Sequence, residues 1–571
     1  MKLFYFFLFL CVTMAQHILQ AQTKIWAHHT GDTSVNGDYA NEIRFDNNGN
    51  TIVCGSFHGN IHLDPNNISS TLTSNGSSDS YIAKYNPAGN LLFQLKITGP
   101  AYETIYAMDL DNAGNIFVTG TFASTMDLDP SSAIASFTSY GNSSDIFIAK
   151  YDANGNYKWG KSVGSVGNTD NGLGLCVDNQ NSVIVTGHFT GSVSFASGNT
   201  SANKTSLGGM DAFIVKYDSA GNFNWVNTIG SAPHWERGKK IICDNNNNLY
   251  VTGEFSSTID VDPSAIIMNI SPIGGTDGDI FIIKYNAYGL PQWAKSIGVA
   301  GQFDVEPSVC VYNNYIYLAG YAQDSLDFNL NVGNSYLPIS NYYKMYVAKY
   351  DQNMQIIWAK QFQDSSYSTI SNIQFDQQAN IVLSGEFKNY NAIGFDFDLS
   401  NSNFMLNVDS NTFHDLFVAR YDSNLNFKNV FQIRQSKYGY ITSQDIDPNN
   451  DVVVCGNFKD TIDLDPTLNN TMAYSNGESD IFFGKYAFVS PNALQDVYNN
   501  ISIEIFPNPV KDLLYINNDK PLQYQIFNAM GQQLKQGNAI HQINVQHLPK
   551  GIYILSLHSN FKNYTAQFVK E

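Results

Sequence analysis

One phrase occurs seven times along this chain, and it constrains the fold more than any other feature of the sequence. Each copy contains a polar turn, an alternating apolar run and a Lys-Tyr or Arg-Tyr pair, repeated every roughly 67 residues, and such periodicity indicates stacked supersecondary units. The tyrosines of the pair are Tyr85, Tyr151, Tyr217, Tyr285, Tyr350, Tyr421 and Tyr486. A strand-ending glycine keeps the same register, at Gly55, Gly120, Gly187, Gly253, Gly320, Gly385 and Gly456.

Residues 107–164 show how one repeat is built. The segment AMDLDNAGN leads into IFVTGTF, and DIFIAKYDANGN leads into YKWGKSVG, each across a turn rich in Asn and Gly. An alternating run, a tight turn and a second alternating run predict a β-hairpin. Two hairpins per repeat predict an antiparallel sheet of four strands, A to D, and radial repetition of such sheets makes a β-propeller.

The two ends of the repeat array predict a closed ring. The seventh repeat stops at residues 485–488 without a D strand, whereas residues 23–27 read TKIWA and match D strands such as residues 292–295. The missing strand is therefore expected to come from the N-terminus, because an open stack would need terminal caps. The predicted fold is all-β, with a seven-bladed β-propeller over residues 23–488 that is closed by an N-terminal strand.

Aspartates recur at two positions of the repeat, at the end of strand A and at the start of strand C. Aspartate beside a turn caps backbone N–H groups, so both sets are interpreted as scaffold. The fifth repeat departs most, with Val311 and Lys344 at these positions. The aspartates that end strand A are Asp46, Asp111, Asp178, Asp244, Asp376 and Asp447. Those that begin strand C are Asp79, Asp145, Asp211, Asp279, Asp415 and Asp480.

These repeats resemble the seven-bladed propeller repeats of secreted bacterial proteins. The resemblance is carried by the G-x-F of strand B, the Asp-Leu-Asp-Pro segment that follows it, and the D-x-F-x-x-K-Y-D of strand C. It covers about residues 23–488 and implies a fold without implying a defined activity, because propellers host many functions.

The N-terminus predicts export. Residues 3–14 form a short apolar run after Lys2, followed by the small residues Ala15 and Ala21, so residues 1–22 are interpreted as a signal peptide. The run is too short to span a membrane, and no transmembrane segment is predicted elsewhere. The net charge of −19 disfavours nucleic acid as a partner, since nucleic acid binds basic patches.

A different pattern follows a polar linker, residues 489–502. Alternating runs punctuated by Pro, Asn and Gly predict a small C-terminal β-sandwich over residues 503–571. Its motifs are carried by Pro507, Asn508, Pro509, Asn528, Gly531, Gly551, Tyr553 and Lys570. In this order they resemble the type A C-terminal sorting domain of the type IX secretion system. The resemblance implies a Gram-negative bacterium, the secretion machinery as a partner, and a secreted or cell-surface location, with release or anchoring left open.

No catalytic motif is found, and the chain is expected not to be an enzyme. Residues 160–164 match G-x-S-x-G, but a nucleophile elbow needs a strand-to-helix turn and this segment is a D strand. Acid pairs such as Asp127 and Asp129 recur with the repeat and are interpreted as scaffold, with Ca²⁺ binding as the alternative. Histidine and cysteine show no metal-ligand spacing, so no other cofactor is expected.

Five cysteines remain after removal of the signal peptide: Cys54, Cys176, Cys243, Cys310 and Cys455. All five lie within apolar strand patterns. They are interpreted as small buried hydrophobic residues, with a bridge between Cys54 and Cys455 as the alternative.

Antiparallel strand order predicts where a ligand would bind. It places the tight A–B and C–D turns on one face of the ring and the longer D–A and B–C connections on the other, where binding is expected. The predicted ligand-binding residues are Tyr102, Trp235, Glu236, Arg237, Asp304, Tyr367 and Tyr438. Aromatic rings among acids suit a sugar or a protein partner, so the chain is predicted to be a binding or adhesion protein. An extracellular carbohydrate lyase or hydrolase and a purely structural surface protein are the alternatives.

Overall fold

The computed structural model describes residues 22–33, 36–67, 69–264, 266–273, 278–298, 307–322, 328, 344–362, 368–388, 394–400, 402–408, 414–467, 472–488, 505–516, 522–528, 533–559 and 562–571. These residues form strands and connections, with two short 3-10 helices, Tyr140–Asn142 and Thr200–Ala202. The chain divides into two compact units. Gln22–Phe488 is one, and the described residues from Ile505 onward belong to the other.

Seven antiparallel sheets with the strand order A-B-C-D occur in the described residues of the first unit, and each is called a blade. In blades 1 to 7, strand A is Tyr39–Phe45, Glu103–Leu110, Asn171–Val177, Glu236–Cys243, Ser308–Tyr312, Thr369–Phe375 and Tyr438–Ile446. Strand B is Thr51–Phe57, Ile116–Ala123, Val183–Phe189, Leu249–Phe255, Tyr315–Ala322, Ile381–Phe387 and Val452–Lys459. Strand C is Asp79–Tyr85, Ser144–Tyr151, Asp211–Tyr217, Asp279–Tyr285, Lys344–Tyr350, Asp415–Tyr421 and Asp480–Phe488. Strand D is Leu91–Ile97, Tyr157–Val163, Phe223–Ile229, Pro291–Ile297, Ile356–Gln361, Phe427–Gln435 and Gln22–Thr30.

Short second hairpins lie in the B–C connections, and they lengthen one face of the ring. They pair Asn60–Ile61 with Leu72–Thr73, Thr125–Asp127 with Ser136–Thr138, Ser192–Ser194 with Asn203–Thr205, Ile259–Asp260 with Asn269–Ile270, Phe395–Asp396 with Met405–Leu406, and Thr461–Asp463 with Met472–Tyr474. The last of these hairpins also pairs with strand D of blade 6.

The N-terminal strand closes the ring as the sequence predicts. Gln22–Thr30 runs antiparallel to Asp480–Phe488, from Gln22 opposite Phe488 to Thr30 opposite Ile481. Blade 7 then meets blade 1, because the amide of Ala40 donates to the Asn457 Oδ1 at 3.2 Å. The all-β propeller fold and its closing strand are confirmed by this pairing.

The hydrophobic core lies between neighbouring blades, and the repeated tyrosine is part of it. Tyr217 is fully buried, and its hydroxyl donates to the carbonyl of Phe195 at 2.7 Å. The carbonyl belongs to the B–C connection, so the bond ties that connection to strand C. A buried tyrosine needs such an acceptor for its hydroxyl. The equivalent tyrosines with the same bond are Tyr85, Tyr151, Tyr285, Tyr421 and Tyr486.

The repeated aspartates cap turns as predicted, and those of strand A also bind the lysine or arginine of the repeated pair. Asp178 accepts hydrogen bonds at 2.9 Å from the amides of Gln180 and Ser182. Its other oxygen lies 2.6 Å from the ammonium of Lys216, and both side chains are buried. Equivalent ion pairs join Lys84 to Asp46, Lys150 to Asp111, Arg420 to Asp376, and Lys485 to Asp447.

Two cysteines are bonded, which corrects the prediction that all five are unbridged. A disulfide joins Cys176 to Cys243, whose Cα atoms are 6.1 Å apart. The two residues lie on the adjacent innermost strands of blades 3 and 4, and this Cα separation is in the range that disulfides require. Cys54, Cys310 and Cys455 are free.

The second unit is a β-sandwich, as the sequence predicts. Its strands are Ile505–Phe506, Leu513–Ile516, Leu522–Asn528, Gln533–Ala539, Gln542–Asn544, Gly551–Ser559 and Lys562–Lys570. They form a three-stranded and a four-stranded sheet around a core that includes Leu514, Ile526 and Leu555. Two residues of the predicted sorting motif form side-chain hydrogen bonds to the backbone, and the first of these bonds joins the two ends of this unit. The Asn508 side chain accepts from the amide of Val569 at 2.8 Å, and the Tyr553 hydroxyl donates to the Pro549 carbonyl at 2.7 Å. Gly531 lies outside the described residues.

Candidate functional site

The innermost strands surround a central channel of about 500 Å³. Strand A begins on the face that carries the D–A and B–C connections, which is called the long-loop face. It ends on the face that carries the tight turns. Side chains near the start of strand A therefore lie at the mouth of the channel on the long-loop face, where a rigid ring presents variable groups.

Strands A and B pair at this mouth through residues that differ from blade to blade. The strand B partner comes directly after the repeated glycine of its blade. The pairs are Tyr39 with Ser56, Thr104 with Thr121, Asn171 with His188, Arg237 with Glu254, Thr369 with Glu386, and Tyr440 with Asn457. These twelve residues are called the variable ring. The residues next to them in the repeat are the same in most blades and build the scaffold. The variable ring therefore contains the polar and aromatic side chains that differ between blades.

Three tyrosines converge where the ring closes between blades 7 and 1. Tyr438 and Tyr440 are two residues apart on one strand and share a face, with 40% and 37% of their surfaces exposed. Tyr39 of blade 1 completes a cleft of about 360 Å³ that is also lined by His58 and Glu478. These five residues are called the tyrosine cleft.

The backbone around the tyrosine cleft is held by buried polar contacts. Asp38 is buried and accepts a hydrogen bond from the amide of His58 at 2.9 Å. Burial raises the pKa of Asp38 to about 8. The His58 ring bonds to the Gly37 carbonyl at 2.9 Å, and Lys459 lies 5.8 Å from the ring centroid of Tyr438 while pairing with Glu478. The cleft is therefore a preformed surface.

An acid and a histidine of blade 6 adjoin this cleft. Glu386 lies 3.4 Å from His414, and the His414 ring bonds to the Gly439 carbonyl at 3.2 Å. Burial raises the pKa of Glu386 to about 7 and lowers the pKa of His414. The pKa of Tyr440 is raised by burial and by the nearby Tyr39 and Glu386. Glu386 can thus hold a proton near neutral pH beside the tyrosines.

In blade 4 the structure leaves Trp235 and Arg237 half-buried and buries Glu236 between them, so the prediction that Glu236 faces a ligand is wrong. The guanidinium of Arg237 lies 5.2 Å from the ring centroid of Trp235, because residues two apart on a strand share a face. Glu236 points to the other face and is fully buried. It accepts from the amide and hydroxyl of Ser231, and burial raises its pKa to about 7. Glu236 therefore holds the loop and does not face a ligand.

The other predicted residues lie apart. Tyr102 is 37% exposed on blade 2, and its hydroxyl is hydrogen-bonded to the Ser144 hydroxyl. Asp304 and Tyr367 lie outside the described residues. Tyr438 belongs to the tyrosine cleft, and Trp235 and Arg237 form a separate pair at the start of blade 4.

Several residues of the site are missed by sequence reasoning, among them Tyr440, His58 and His188. The signal was present in the repeats, because the residue after the repeated glycine reads Ser, Thr, His, Glu, Tyr, Glu and Asn in the seven copies. A position that varies inside an otherwise constant phrase has no role that every blade requires.

The recurring acid pairs act in turns. Asp127 Oδ1 accepts from the amides of Asp129 and Ala135 at 3.0 and 2.9 Å, and Asp260 accepts in the same way from Asp262 and Met268. In the described part of the chain no group of three or more His, Cys, Asp or Glu is placed to hold a metal ion. Ca²⁺ binding stays a prediction.

Comparison with known proteins supports the predicted export of this chain. Residues 504–571 match the family described as secretion system C-terminal sorting domain. The match confirms the predicted export by the type IX secretion system, to the cell surface or the medium. No helix in the described ranges is long and apolar enough to cross a membrane.

Two curated relatives match the chain at low identity. An uncharacterized WD repeat-containing protein of Acanthamoeba polyphaga mimivirus is 22% identical over 519 residues, covering 76% of this chain and 36% of that protein. The regulatory protein FlaEY of Caulobacter vibrioides is 26% identical over 149 residues, covering 26% of this chain and 15% of that protein. The chain thus spans 36% and 15% of the length of these two relatives.

Solved structures with a similar outline are more distant. A subtype N11 neuraminidase-like protein of A/flat-faced bat/Peru has 9% identity and a TM-score of 0.31, with 66% of this chain and 86% of that chain covered. A likeness of this size adds nothing to what the strand pairing shows.

Proposed function

We propose that this protein is an exported glycan-binding protein that holds a sugar chain in the tyrosine cleft. The observation that carries the proposal is the convergence of Tyr39, Tyr438 and Tyr440 beside His58 and Glu478. Tyrosine rings offer flat apolar faces with a polar edge, which suits the C–H face of a sugar ring and its hydroxyl groups.

The surroundings of the cleft favour a binding role. The cleft lies on the long-loop face, and its two exposed tyrosines are fixed by a strand, so little ordering is needed when a ligand stacks on them. The carboxylate of Glu478 and the imidazole of His58 can exchange hydrogen bonds with hydroxyl groups. Export places this surface outside the cell, where a polysaccharide is accessible.

Carbohydrate cleavage is the second candidate, and Glu386 is the observation that favours it. Glycosidases pair an acid that holds its proton near neutral pH with a second carboxylate. Glu386 has such a pKa, about 7. We propose binding without cleavage, since the acid is half-buried and lies 3.4 Å from His414.

The test is a binding screen of the mature chain against neutral and acidic polysaccharides such as mannan, xylan, dextran and polygalacturonate, by affinity electrophoresis and calorimetry. We expect Tyr438→Ala to weaken binding about tenfold, because loss of one stacked ring costs about 1–3 kcal/mol. Tyr288→Ala is the matched control, because Tyr288 is 80% exposed and lies between strands C and D of blade 4, on the tight-turn face.

Each result of the screen separates the candidates. Equal binding by the Tyr438→Ala and Tyr288→Ala variants would show that the cleft does not hold the ligand. Release of reducing ends that disappears in Glu386→Gln would establish the enzyme instead.

A further inference from the structure

The start of strand A in blade 4 concentrates positive charge in a protein whose net charge is −19. Its sequence is E-R-G-K-K, and Arg237, Lys239 and Lys240 fall within four residues. Lys239 and Lys240 also line the central channel. A local cationic surface on an acidic protein attracts anions that the rest of the surface repels.

Blade 3 packs tightly against these cations. A Cβ added at Gly238 would lie 2.0 Å from Thr186 Oγ1 and 3.2 Å from the Gly187 amide, so glycine lets the two blades approach there. His188, the next residue of blade 3, is thereby placed beside Arg237 and Lys239, and its pKa is lowered by burial and further by these two cations. The disulfide between Cys176 and Cys243 joins the same two blades.

The two cations share one carboxylate. Arg237 lies 3.9 Å from Glu254 Oε2, and Lys239 lies 3.3 Å from Glu254 Oε1. Their side chains are 35% and 29% exposed, whereas that of Glu254 is 11% exposed. The cluster therefore carries excess positive charge that solvent, and a ligand, can reach.

Two buried nitrogen atoms of the cluster have no hydrogen-bond partner. His188 is 5% exposed, and its Nε2 accepts from the Asn171 amide at 3.1 Å, which leaves the proton on Nδ1. That Nδ1 and the Nε of Arg237 are both buried without an acceptor, and Glu254 Oε2 is buried without a donor. Buried donors without acceptors are costly, so a ligand with acceptor oxygens would satisfy the two nitrogen atoms.

Trp235 adds an aromatic platform to this cluster. Its ring stacks with the Arg237 guanidinium at 5.2 Å, and its backbone is bonded to the Ser256 hydroxyl. A planar guanidinium on an aromatic face keeps its N–H edges available for a carboxylate. An apolar ring next to a carboxylate-binding edge matches a sugar that bears a carboxylate.

We propose that Trp235, Arg237, Lys239 and His188 form a subsite for the carboxylate of a uronic acid residue, so that the glycan bound by this protein is an acidic polysaccharide. The inference rests on the proposed glycan-binding function and names its ligand class. The subsite lies on blades 3 and 4, whereas the tyrosine cleft lies on blades 7 and 1, so each can be altered alone.

The experiment compares polygalacturonate with its fully methyl-esterified form, which has the same backbone without the charge. Calorimetry on the mature chain at neutral pH and low salt should show about tenfold tighter binding of the acid form, because charge-assisted bonds to a guanidinium are strong. Arg237→Gln and Lys239→Gln should each remove most of this preference while leaving binding of the ester unchanged. Arg237→Lys should restore part of it.

The matched control is Lys158→Gln, which removes one exposed cation beside the C–D turn of blade 2, on the tight-turn face. This variant should keep the full preference for the acid form. The proposal is overturned if the wild type binds acid and ester equally, if it does not bind polygalacturonate, or if Arg237→Gln behaves like Lys158→Gln. Binding of both polymers that is lost in Tyr438→Ala, without preference for the acid, would overturn the acidic subsite and support the tyrosine cleft. A preference that depends on Arg237 and survives in Tyr438→Ala would support the subsite and overturn the cleft.

Discussion

Blades 3 and 5 hold the same repeated lysine in two different ways. In blade 3, Lys216 lies 2.6 Å from the carboxylate of Asp178. In blade 5, the equivalent Lys349 lies over the rings of Tyr315 and Tyr317, 4.1 and 5.3 Å from their centroids. Burial lowers the pKa of Lys349. The cation is kept in both blades, but its partner changes from a carboxylate to aromatic faces.

The turn before strand B accounts for the difference. In blade 3, Asp178 caps a long A–B turn by accepting from two backbone amides. In blade 5, the two strands are joined by Asn313 and Asn314, with φ angles of 48° and 64°, and such two-residue hairpin turns need no side-chain cap. One aspartate therefore serves both the turn and the lysine, and a blade that shortens the turn loses the ion pair with it.

Removal of Asp178 is the strongest test of this comparison. We expect Asp178→Ala to lower the free energy of unfolding by about 5 kcal/mol, because breaking a buried ion pair costs about 3–5 kcal/mol and two amides lose their acceptor. Urea denaturation measures the loss. The double variant Asp178→Asn and Lys216→Met keeps the cap and removes both charges, so it should stay within about 1 kcal/mol of the wild type. A loss below about 1 kcal/mol in the single variant would contradict the dual role.

The disulfide is the next largest difference between the two blades, since blade 3 is bonded to blade 4 and blade 5 carries the free Cys310. The bridge closes a separation of 67 residues, for which chain entropy predicts a stabilisation of about 4 kcal/mol. We expect a reductant to lower the melting temperature of the wild type. The double variant Cys176→Ser and Cys243→Ser should melt at the reduced temperature with or without reductant, and Cys310→Ser should keep the sensitivity. A melting temperature of the wild type that is the same with and without reductant would refute the disulfide.

The buried Glu103 of blade 2, whose neighbour is Asp79, makes the stability of the protein depend on pH. Burial and the nearby Asp79 raise the pKa of Glu103 from 4.5 to about 9, so the folded protein retains a proton that the unfolded chain releases. The stabilisation is complete below about pH 4.5 and is lost as the pH rises through about 9, at up to about 1.4 kcal/mol per pH unit. Urea midpoints across this range should fall less steeply for Glu103→Gln. The exposed Glu478→Gln is the control and should keep the wild-type slope; equal slopes for all three proteins would contradict the assignment.

The smallest effect is expected in blade 5. Lys349→Met removes a cation–aromatic contact and leaves no buried carboxylate behind, so the free energy of unfolding should fall by about 1 kcal/mol or less. Lys216→Met is the same change in blade 3. It leaves the buried Asp178 carboxylate without its cation, so the free energy of unfolding should fall by about 3–5 kcal/mol. Urea denaturation of this matched pair isolates the partner of the lysine. Equal losses would show that the partner of the lysine does not decide the stability.

The sequence was sufficient for the parts of the fold that each repeat builds alone. Hairpins, turn caps and the closing strand depend on residues within one repeat or on a missing strand, and the printed sequence shows both. The Lys216 to Asp178 pair was not predicted because the two residues are on different strands of one blade, and their contact depends on the pairing of strands A, B and C. The bridge between Cys176 and Cys243 depends on how two blades pack, which no single repeat contains.

The candidate site was predicted only in part for a related reason. Glu236 was predicted as a ligand-binding loop residue, but strand A already begins at Glu236 and the alternation of its side chains buries this one. Tyr39 and Tyr440 are about 400 residues apart and meet only because the ring closes. The position after the repeated glycine, which varies between repeats, was the feature of the sequence that could have indicated these residues.

Closure by the N-terminal strand also determines the order in which the blades are completed during folding. Blades 1 to 6 each assemble from one short segment, whereas blade 7 joins Gln22 to Phe488 across the whole unit. Loop entropy makes this contact about 2 kcal/mol more costly to form than a contact across one repeat, and distant contacts form slowly. The N-terminal strand of this unit is therefore the last of its strands to pair. Until then, strand C of blade 7 presents an unpaired edge, and the unfinished ring is most exposed to proteases and to other chains at that edge.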